Sequence, residues 1–593
     1  MAFDGITTKK IVSELNTALC DGKINKIYEP NKNEIILGVY AKGINYALNL
    51  SISSDSYRIN LTTHQKANPL NAPGFCMLLR KHITGAKIKR IYTIGLERIV
   101  YIDLECLDEL NDLINKKLII ELMGKHSNII LTNENNFIID SLRHLSKDEN
   151  STRDILPARA YEIPENNKAN FDEIKTFDEF YKLIPDDKKI DCGIASTFTG
   201  ISRLLIQSII EKNNLTTEKN SSSLKIIFKN LQDLLKNIDT TKAITASYNN
   251  DFVLSLANDL ESSSNEKNTK ENDAENDTNN NTQNILDNLQ SNFFIDDYYF
   301  NKETDNLFNS YKNNLLKLVL STLSKIKKKL VNINQKIEDC KNMDTYKLYG
   351  ELITASMYQY PEYNSDKITV QNYYNNNEEI EIPVDKNKTP SVNAKNYYKK
   401  YNKLKNALSI VNDQKAETMQ ELDYLESIIY EIDMAKNISD IDEIYSELTE
   451  NTLFERTHLK SNTKITKKQN RNKKANKEYI PIEYKIENFT LLVGKNNVQN
   501  DYLTTKLARS NDIWFHTKDI HGSHAILITK GETPSMDVLI RCAQIAAYYS
   551  KAKMSSNVPV DYTLVKYVKK PSGAKPGFVI YTHNKTINVT PKN

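Results

Sequence analysis

Three histidines lie close together near the C-terminal end of the 593-residue chain, in the segment WFHTKDIHGSHAILI. Their spacing fits neither the HExxH helix of metalloproteases nor a zinc finger, and Gly522 predicts a turn between two strands that separates the rings. We therefore predict no metal site. The segment favours a surface on which RNA bases stack. Its candidate contacts are Trp514, His516, His521, Ser523 and His524. The alternative is that Trp514 and Phe515 are core residues.

A second motif, VGKNNVQND, is dense in amides and precedes the histidine segment. Asn and Gln side chains can read base edges and 2′-hydroxyls, and lysines can contact phosphates. Together with a downstream Lys-Pro-Gly loop, it predicts a basic, amide-rich face suited to RNA. The candidate residues are Lys495, Asn496, Asn497, Asn500, Asp501, Lys569, Lys570 and Lys575. A simple turn, which Asn and Gly favour, is the alternative for the motif.

Two polar motifs also occur in the N-terminal part of the chain. GLERIV places Glu97 beside Arg98 at the start of a predicted strand, where neighbouring side chains face opposite sides. ELMGKHSNIIL predicts a polar loop between two strands, and such loops often carry binding residues. Its candidates are Glu121, Lys125, His126, Ser127 and Asn128. A plain surface hairpin is the alternative.

Several classes of protein are disfavoured by what the sequence lacks. It contains no P-loop, no GxSxG and no glycine-rich dinucleotide turn, so we predict neither an enzyme nor a cofactor. Six scattered cysteines without a CxxC predict neither disulfides nor a cysteine zinc site. No apolar run reaches the ~18–20 residues that span a membrane, and the first residues do not resemble a secretory signal. We expect a cytoplasmic protein.

The elements that position these motifs form several segments. The net charge of the whole chain is only +3, which neither suggests nor excludes a nucleic-acid partner. We predict an α+β multidomain protein. Its segments are a mixed α/β domain over 1–170, a helical module over 171–258, a disordered Asn-rich insert over 259–285, an antiparallel coiled coil over 286–440 with a cap at about 346–392, a basic linker over 441–478 and a second α/β domain over 479–593.

The coiled coil is predicted from two apolar seams with alternating spacings of three and four. The first runs from Leu316 to Ile337 and the second from Tyr397 to Ile432, with Lys415 and Thr418 at core positions of the second. Two similar seams separated by a cap favour pairing within one chain, with a homodimer as the alternative.

The order and spacing of five stretches resemble the NFACT family. They are FDG at Phe3–Gly5, PGFCMLLRKHI with GLERIV, ELMGKHSNIIL with IIDSLRHLS, NAKNYYKKYNKLKNAL, and the C-terminal run from VGKNNVQND through KKPSGAKPGFVIY. The resemblance implies an NFACT-N domain similar in fold to the N-terminal domain of Fpg-type glycosylases, a helix-hairpin-helix-like module, a coiled coil with a middle cap, and an NFACT-R domain.

The resemblance also implies a function in ribosome-associated quality control. The protein would bind, as a monomer, a large ribosomal subunit that carries peptidyl-tRNA, through both rRNA and ribosomal proteins. It would recruit tRNA, expected to be alanyl-tRNA, and direct a C-terminal alanine tail without mRNA. Peptide bonds would form in the ribosome's own centre.

The family's tRNA-contacting residues carry over only in part. Its Asp-Arg pair corresponds here to Glu97 and Arg98, and Asp4 matches an acidic residue near the N-terminus. Lys125 stands where members commonly have Arg, which removes a planar, bidentate donor.

Three other functions compete with this one. A general ribosome- or RNA-binding scaffold without tailing is left open by Glu97 and Lys125. A fibronectin-binding adhesin is disfavoured by the expected lack of a signal or anchor. A DNA glycosylase would need an N-terminal proline nucleophile, and residue 2 is Ala2.

Overall fold

In the computed structural model the described residues are 3–108, 110, 112–146, 153–257, 289–362, 364–450 and 480–593. They form two compact units, Met1–Thr304 and Asp305–Asn593. The predicted insert over 259–285 and the basic run Lys460–Lys477 lie outside the described residues. The limits of the six predicted segments stay a prediction.

A nine-stranded antiparallel sheet forms the centre of the first unit. Its strands are β1 Lys23–Asn31, β2 Glu34–Ala41, β3 Ile44–Ser51, β4 Arg58–Leu61, β5 Lys87–Thr93, β6 Ile99–Leu107, β7 Leu113–Glu121, β8 Asn128–Asn133 and β9 Ile138–Ser141. They are ordered β4-β3-β2-β1-β5-β6-β7-β8-β9. The apolar runs alternate with turns rich in Gly, Asn or Ser, and the sheet confirms the predicted mixed α/β character of this domain.

Two helices pack on this sheet through apolar side chains. Gly74–Ile83, within the stretch PGFCMLLRKHI, buries Leu79, and Pro73 precedes its first residue. Gly5–Leu19 was not predicted. Its apolar positions Ile11 and Leu15 are fully buried, but buried Thr7 and Thr8 interrupt the sequence pattern.

The rest of the first unit is a helical module around clustered phenylalanine rings. Its helices are Phe177–Leu183, Ile190–Thr197, Arg203–Lys212 and Ser221–Lys236, followed by the hairpin of β10 Ala243–Tyr248 and β11 Asp251–Leu256. Phe171 and Phe180 meet edge to face at 5.7 Å. These ring contacts belong to the core of the module. Its four helices confirm the predicted helical character.

The second unit contains two long helices that pair antiparallel, as predicted. The first long helix is Gln290–Cys340, which begins in the first unit, and the second long helix is Pro390–Met434. Lys312 Nζ donates to Asp433 O at 3.0 Å, and Lys329 lies 3.5 Å from Glu421. Thr418, a predicted polar core position, is fully buried. Its hydroxyl donates to Gln414 O at 2.6 Å, which satisfies the buried polar group.

A small cap joins the two long helices. It consists of the helix Met343–Ala355 and the hairpin of β12 Lys367–Asn372 and β13 Glu378–Pro383. Its core includes Leu352, Ile353 and Ile382, which are buried.

The region predicted as a linker over 441–478 begins with structure instead. A helix covers Ile438–Glu450. Ile441, Ile444 and Leu448 recur at helical spacing and pack against the second long helix, within the same core cluster as Leu425 and Ile428. The basic composition of the later residues obscured this short amphipathic helix.

The C-terminal domain is a six-stranded antiparallel sheet with one main helix. Its sheet strands are β14 Ile482–Ile486, β15 Phe489–Val493, β16 Ile513–Thr517, β17 Ala525–Ile528, β18 Val558–Leu564 and β21 Lys585–Val589, in the order β14-β15-β17-β16-β18-β21, and a short pair is formed by β19 Val568–Lys569 and β20 Ile580–Tyr581. The helix Met536–Tyr548 was predicted, and Ser535 caps its start. A short helix, Asn497–Tyr502, continues as a π-helical turn over Leu503–Leu507.

Candidate nucleic-acid interface

The FDG motif acts as a structural junction in the first unit. Asp4 begins the helix Gly5–Leu19 by accepting a hydrogen bond from Thr7 N at 2.9 Å, and its second oxygen accepts from Ser202 N at 3.3 Å. The side chain is buried, and burial raises its pKa. Asp4 therefore joins the first helix to the helical module. Contrary to the expectation from the family resemblance, its carboxylate does not face a ligand.

Gly5 allows three segments to meet at this junction. A Cβ atom at Gly5 would lie 1.9 Å from Leu96 O and 2.5 Å from Gly200 Cα. The Gly5 N–H donates to Gly200 O at 2.9 Å. The GLER turn is thus held directly against the FDG motif.

Glu97 and Arg98 point to different partners, as predicted for adjacent residues. Glu97 Oε1 accepts from Asn166 Nδ2 at 2.7 Å. The Arg98 guanidinium donates to the Tyr57 hydroxyl at 3.2 Å, and its Cζ lies 5.9 Å from the centre of that ring. Both charged side chains are half-buried, so each keeps a face that a ligand can reach.

Tyr57 positions the Arg98 guanidinium. Burial raises the pKa of Tyr57, and the nearby Arg98 charge opposes that increase. Leu122 N donates to Arg98 O at 2.9 Å, and a Cβ atom at Gly124 would touch the Tyr57 ring at 4.0 Å. Arg98, Tyr57 and the loop that follows β7 therefore form one continuous surface of the first unit.

The loop over Gly124–Asn128 has two exposed polar side chains on a buried base. Lys125 and His126 are exposed, whereas Ser127 and Asn128 are buried. Ser127 Oγ accepts from Met123 N at 2.8 Å, and Asn128 Nδ2 donates to Arg143 O at 2.7 Å. Lys125 and His126 stay candidates for RNA contact, and the two buried residues shape the loop that presents them.

Arg143 is a positioning residue that the sequence analysis did not select. Its guanidinium donates to the carbonyls of Lys125 at 3.1 Å and Ile52 at 3.1 Å, and to Asn33 Oδ1 at 2.8 Å. It ties the loop to two other turns of the sheet. The only sequence indication was its place in the IIDSLRHLS stretch.

Glu121 does not face a ligand. It is fully buried, accepts from Tyr161 at 2.8 Å and pairs with Arg153. This pairing satisfies a buried carboxylate at the end of β7.

In the C-terminal domain, carboxylates hold the amide motif. Asn496 Nδ2 donates to Glu443 at 2.6 Å, and Gln499 Nε2 donates to the same oxygen at 2.8 Å. Asn497 Nδ2 donates to Ser427 Oγ at 3.0 Å. These amide groups are buried, and they dock the domain on the second long helix and on the helix Ile438–Glu450. Contrary to the prediction, they are not available to RNA bases.

Asn500 and His524 are also internal. Asn500 Oδ1 accepts from His524 N at 3.0 Å, and a hydrogen bond of 2.7 Å joins His524 Nδ1 to Thr504 Oγ1. Burial lowers the pKa of His524 to about 3 and that of His516 to about 4, so both rings are neutral at physiological pH. Neither ring therefore supplies a positive charge for RNA.

Trp514 and Phe515 are both fully buried, which confirms the alternative interpretation as core residues. Trp514 stacks on His516 with ring centres 5.6 Å apart, and Phe515 belongs to the core on the opposite side of the sheet. Adjacent strand residues face opposite sides, so each ring fills a different core. Ser523 is buried too, while His521 is half-buried.

The lysines are the accessible part of the predicted C-terminal face. Lys569 is exposed, and Lys495 and Lys575 are half-buried. Lys570 Nζ donates to Asp501 at 2.8 Å, so this pair partly neutralises itself. Lys575 Nζ lies 5.6 Å from the Tyr424 ring centre.

No cluster of three or more metal-binding side chains occurs among the described residues. No described helix combines the length and apolar character needed to cross a bilayer. His516 and His524 have ring centres 5.5 Å apart, and both rings contact Trp514.

Two α/β regions with exposed basic side chains and a long antiparallel helix pair define a multidomain protein with nucleic-acid-binding features. A family model described as NFACT N-terminal and middle domains matches residues 4–472, and one described as NFACT protein RNA binding domain matches 477–582. The chain belongs to the NFACT family.

Its relatives include the Rqc2 homolog RqcH of Bacillus subtilis, 34% identical, and that of Streptococcus suis, 33% identical. Both alignments cover 100% of this chain and 98% of the relative. A solved C-terminal part of the fibronectin/fibrinogen-binding protein from Streptococcus suis is 34% identical and covers 48% of this chain and 96% of that one, with a TM-score of 0.37. The RqcH relatives and the RNA-binding domain support a factor of ribosome quality control.

Proposed function

We propose that this chain binds large ribosomal subunits obstructed by peptidyl-tRNA and directs mRNA-independent alanine tailing of the stalled nascent chain. It recruits tRNA, with alanyl-tRNA as the expected species, and acts in the cytoplasm as a monomer on the subunit. It positions RNA and is not an enzyme, because the ribosome's own centre forms the peptide bonds.

The observation that carries this proposal is the surface formed by Arg98, Tyr57 and the loop over Gly124–Asn128, here called the Lys125 loop. Tyr57 holds the guanidinium at 3.2 Å, while Lys125 and His126 are exposed on the loop that follows β7. A fixed guanidinium can contact a base or a phosphate, and exposed cations can follow the phosphate backbone. Selection of a tRNA without a codon must come from contacts of this kind.

Lys125 and Glu97 bear on which tRNA is selected. Lys125 supplies a point charge in place of the planar fork of arginine. Glu97 is held by Asn166, so its reach is set by the segment before the helical module. These differences keep a general RNA-binding scaffold as the second candidate.

The proposal is tested by purifying the tagged full chain from its own cells and sequencing the RNA that accompanies it. We expect large-subunit rRNA and one enriched tRNA. Arg98→Ala should lose the tRNA and keep the rRNA. Arg90→Ala is the matched control, since Arg90 is exposed and also lies over a tyrosine, at 4.7 Å from the Tyr92 ring centre. An rRNA signal without a selected tRNA would leave the scaffold, and no RNA above background would contradict both.

A further inference from the structure

A cavity of about 1130 Å³ lies in the second unit, at the base of the long helices. Its walls are the second long helix from Glu417 onward, β16 with the turn that follows it, and the Lys-Pro-Gly loop around Lys575. The volume is sufficient for a ligand or an inserted side chain with its backbone.

The lining of this cavity is acidic. Besides Glu431, five acidic side chains line it and three lysines oppose them: Glu417, Glu421, Asp423, Asp440 and Asp519 against Lys436, Lys495 and Lys575. The two neutral histidines add no positive charge. An excess of negative charge in a concave wall repels phosphates and attracts cations.

Glu431 provides a buried acceptor for such a cation. It is 5% exposed and lines the cavity, and its Oε2 has no hydrogen-bond partner among the described residues. The Tyr430 hydroxyl beside it is also buried, with no such partner within the described part of the chain. Buried polar atoms of this kind are normally satisfied, so the site is incomplete as it stands.

Aromatic and apolar side chains complete the walls. Tyr424, Tyr549 and Tyr581 line the cavity together with Ile520 and Phe578, and Phe578 is 51% exposed. Tyrosine faces attract cations, and the Lys575 ammonium already lies over Tyr424. An apolar stem with a cationic head suits this combination.

We propose that the cavity binds an arginine side chain of a basic peptide segment, with the Glu431 carboxylate as its partner. Arginine fits better than lysine, because its planar fork matches a carboxylate and its faces stack on aromatic rings. The flanking apolar surface around Phe578 favours a peptide over a free polyamine. This site is separate from the Arg98 surface and does not rest on the tailing proposal.

Binding should depend on pH with a definite sign. Burial and the neighbouring Glu447 raise the pKa of Glu431 well above its ordinary value, so the empty site favours the protonated form. Glu447, the Tyr430 hydroxyl and the Asn497 backbone act on Glu431, and none of these three is a cation. A guanidinium needs the carboxylate, so binding releases a proton and affinity rises with pH.

The test measures fluorescence anisotropy of a short labelled peptide of alternating glycine and arginine with the full chain. The control peptide carries citrulline in place of arginine, which keeps the shape and removes the charge. We expect the arginine peptide to bind about tenfold tighter or more, a difference of about 1.4 kcal/mol. Glu431→Gln should remove that preference and its pH dependence, whereas Glu338→Gln, at an exposed site on the first long helix, should keep both.

Tyr430→Phe keeps the ring and removes only the hydroxyl, so it should reduce the preference for the arginine peptide by a smaller factor. This variant keeps the proposal testable if Glu431→Gln does not fold. Thermal melting of each variant provides a further check. Equal binding of the two peptides, or an unchanged preference in Glu431→Gln, would overturn the proposal. Glu431-dependent binding of a single-stranded RNA in place of the peptide would overturn it in favour of a nucleotide pocket. Arg98→Ala should leave peptide binding unchanged, so the two proposals can fail independently.

Discussion

The Lys125 loop and the amide motif after β15 are both polar turns of NFACT domains, yet they are built differently. Asn128 is held by Arg143, 15 positions away and just after β9. Asn496 is held by Glu443, 53 positions earlier in the chain. The first loop is satisfied locally and leaves Lys125 and His126 exposed. The second uses its amides to dock a domain, so lysines such as Lys495 and Lys569 are the side chains it leaves for RNA.

The largest effect in this comparison should come from the junction of Gly5, Leu96 and Gly200, close to Arg98 in the chain. Gly5→Ala would bring a methyl group within 1.9 Å of Leu96 O, so we expect destabilisation by about 3 kcal/mol or more. Denaturation followed by circular dichroism measures it. Gly74→Ala is the control, because nothing lies within 4 Å of its Cβ position. Equal stability of the two variants would show that the junction is not tight.

Removal of the carboxylate that holds the amide motif should have the next largest effect. Glu443→Ala leaves the amides of Asn496 and Gln499 without their acceptor, at a cost of about 1–3 kcal/mol. Hydrogen exchange across Asn497–Tyr502 should accelerate. Glu417→Ala, at an exposed position of the second long helix, should not change it. Unchanged exchange in Glu443→Ala would place the amides on the surface, like the Lys125 loop.

The buried histidines should remain neutral over a wide pH range. Their pKa values of about 4 for His516 and about 3 for His524 lie below the ordinary 6.5. Unfolded histidines bind protons first, so these two groups cost the fold stability as pH falls from about 6.5 toward 4. In NMR titrations their ring signals should stay constant between about pH 5.5 and 8. A titration near 6.5 would mean that the rings are accessible.

The smallest effect should come from the exposed loop itself. Lys125→Ala removes one cation from a folded loop, so RNA affinity should fall modestly and the salt slope should decrease by about one. Lys81 is a comparable exposed lysine on the helix Gly74–Ile83. Lys81→Ala is the control and should leave the salt slope nearer to its original value. An unaltered slope in Lys125→Ala would exclude the loop from the RNA contact.

Sequence patterns predicted the fold well but the site only in part. Strands bounded by turns and the two helical seams depend on local periodicity, and the structure confirms them. Burial of Asn497 and His524 depends on residues far away in the chain, so composition could not distinguish them from surface contacts. The helix Ile438–Glu450 was missed because its apolar positions precede a strongly basic run. Asp4 and Glu121 look like ligand contacts until their buried partners are known.

The central claim is that Arg98, held by Tyr57, presents tRNA for tailing. Its most direct test is mass spectrometry of a stalled reporter chain in cells that carry the wild-type protein, Arg98→Ala or Arg90→Ala. We predict C-terminal alanine tails with the wild-type and Arg90→Ala proteins, and none with Arg98→Ala, although that variant still co-sediments with large subunits. Unchanged alanine tails in Arg98→Ala would contradict the claim.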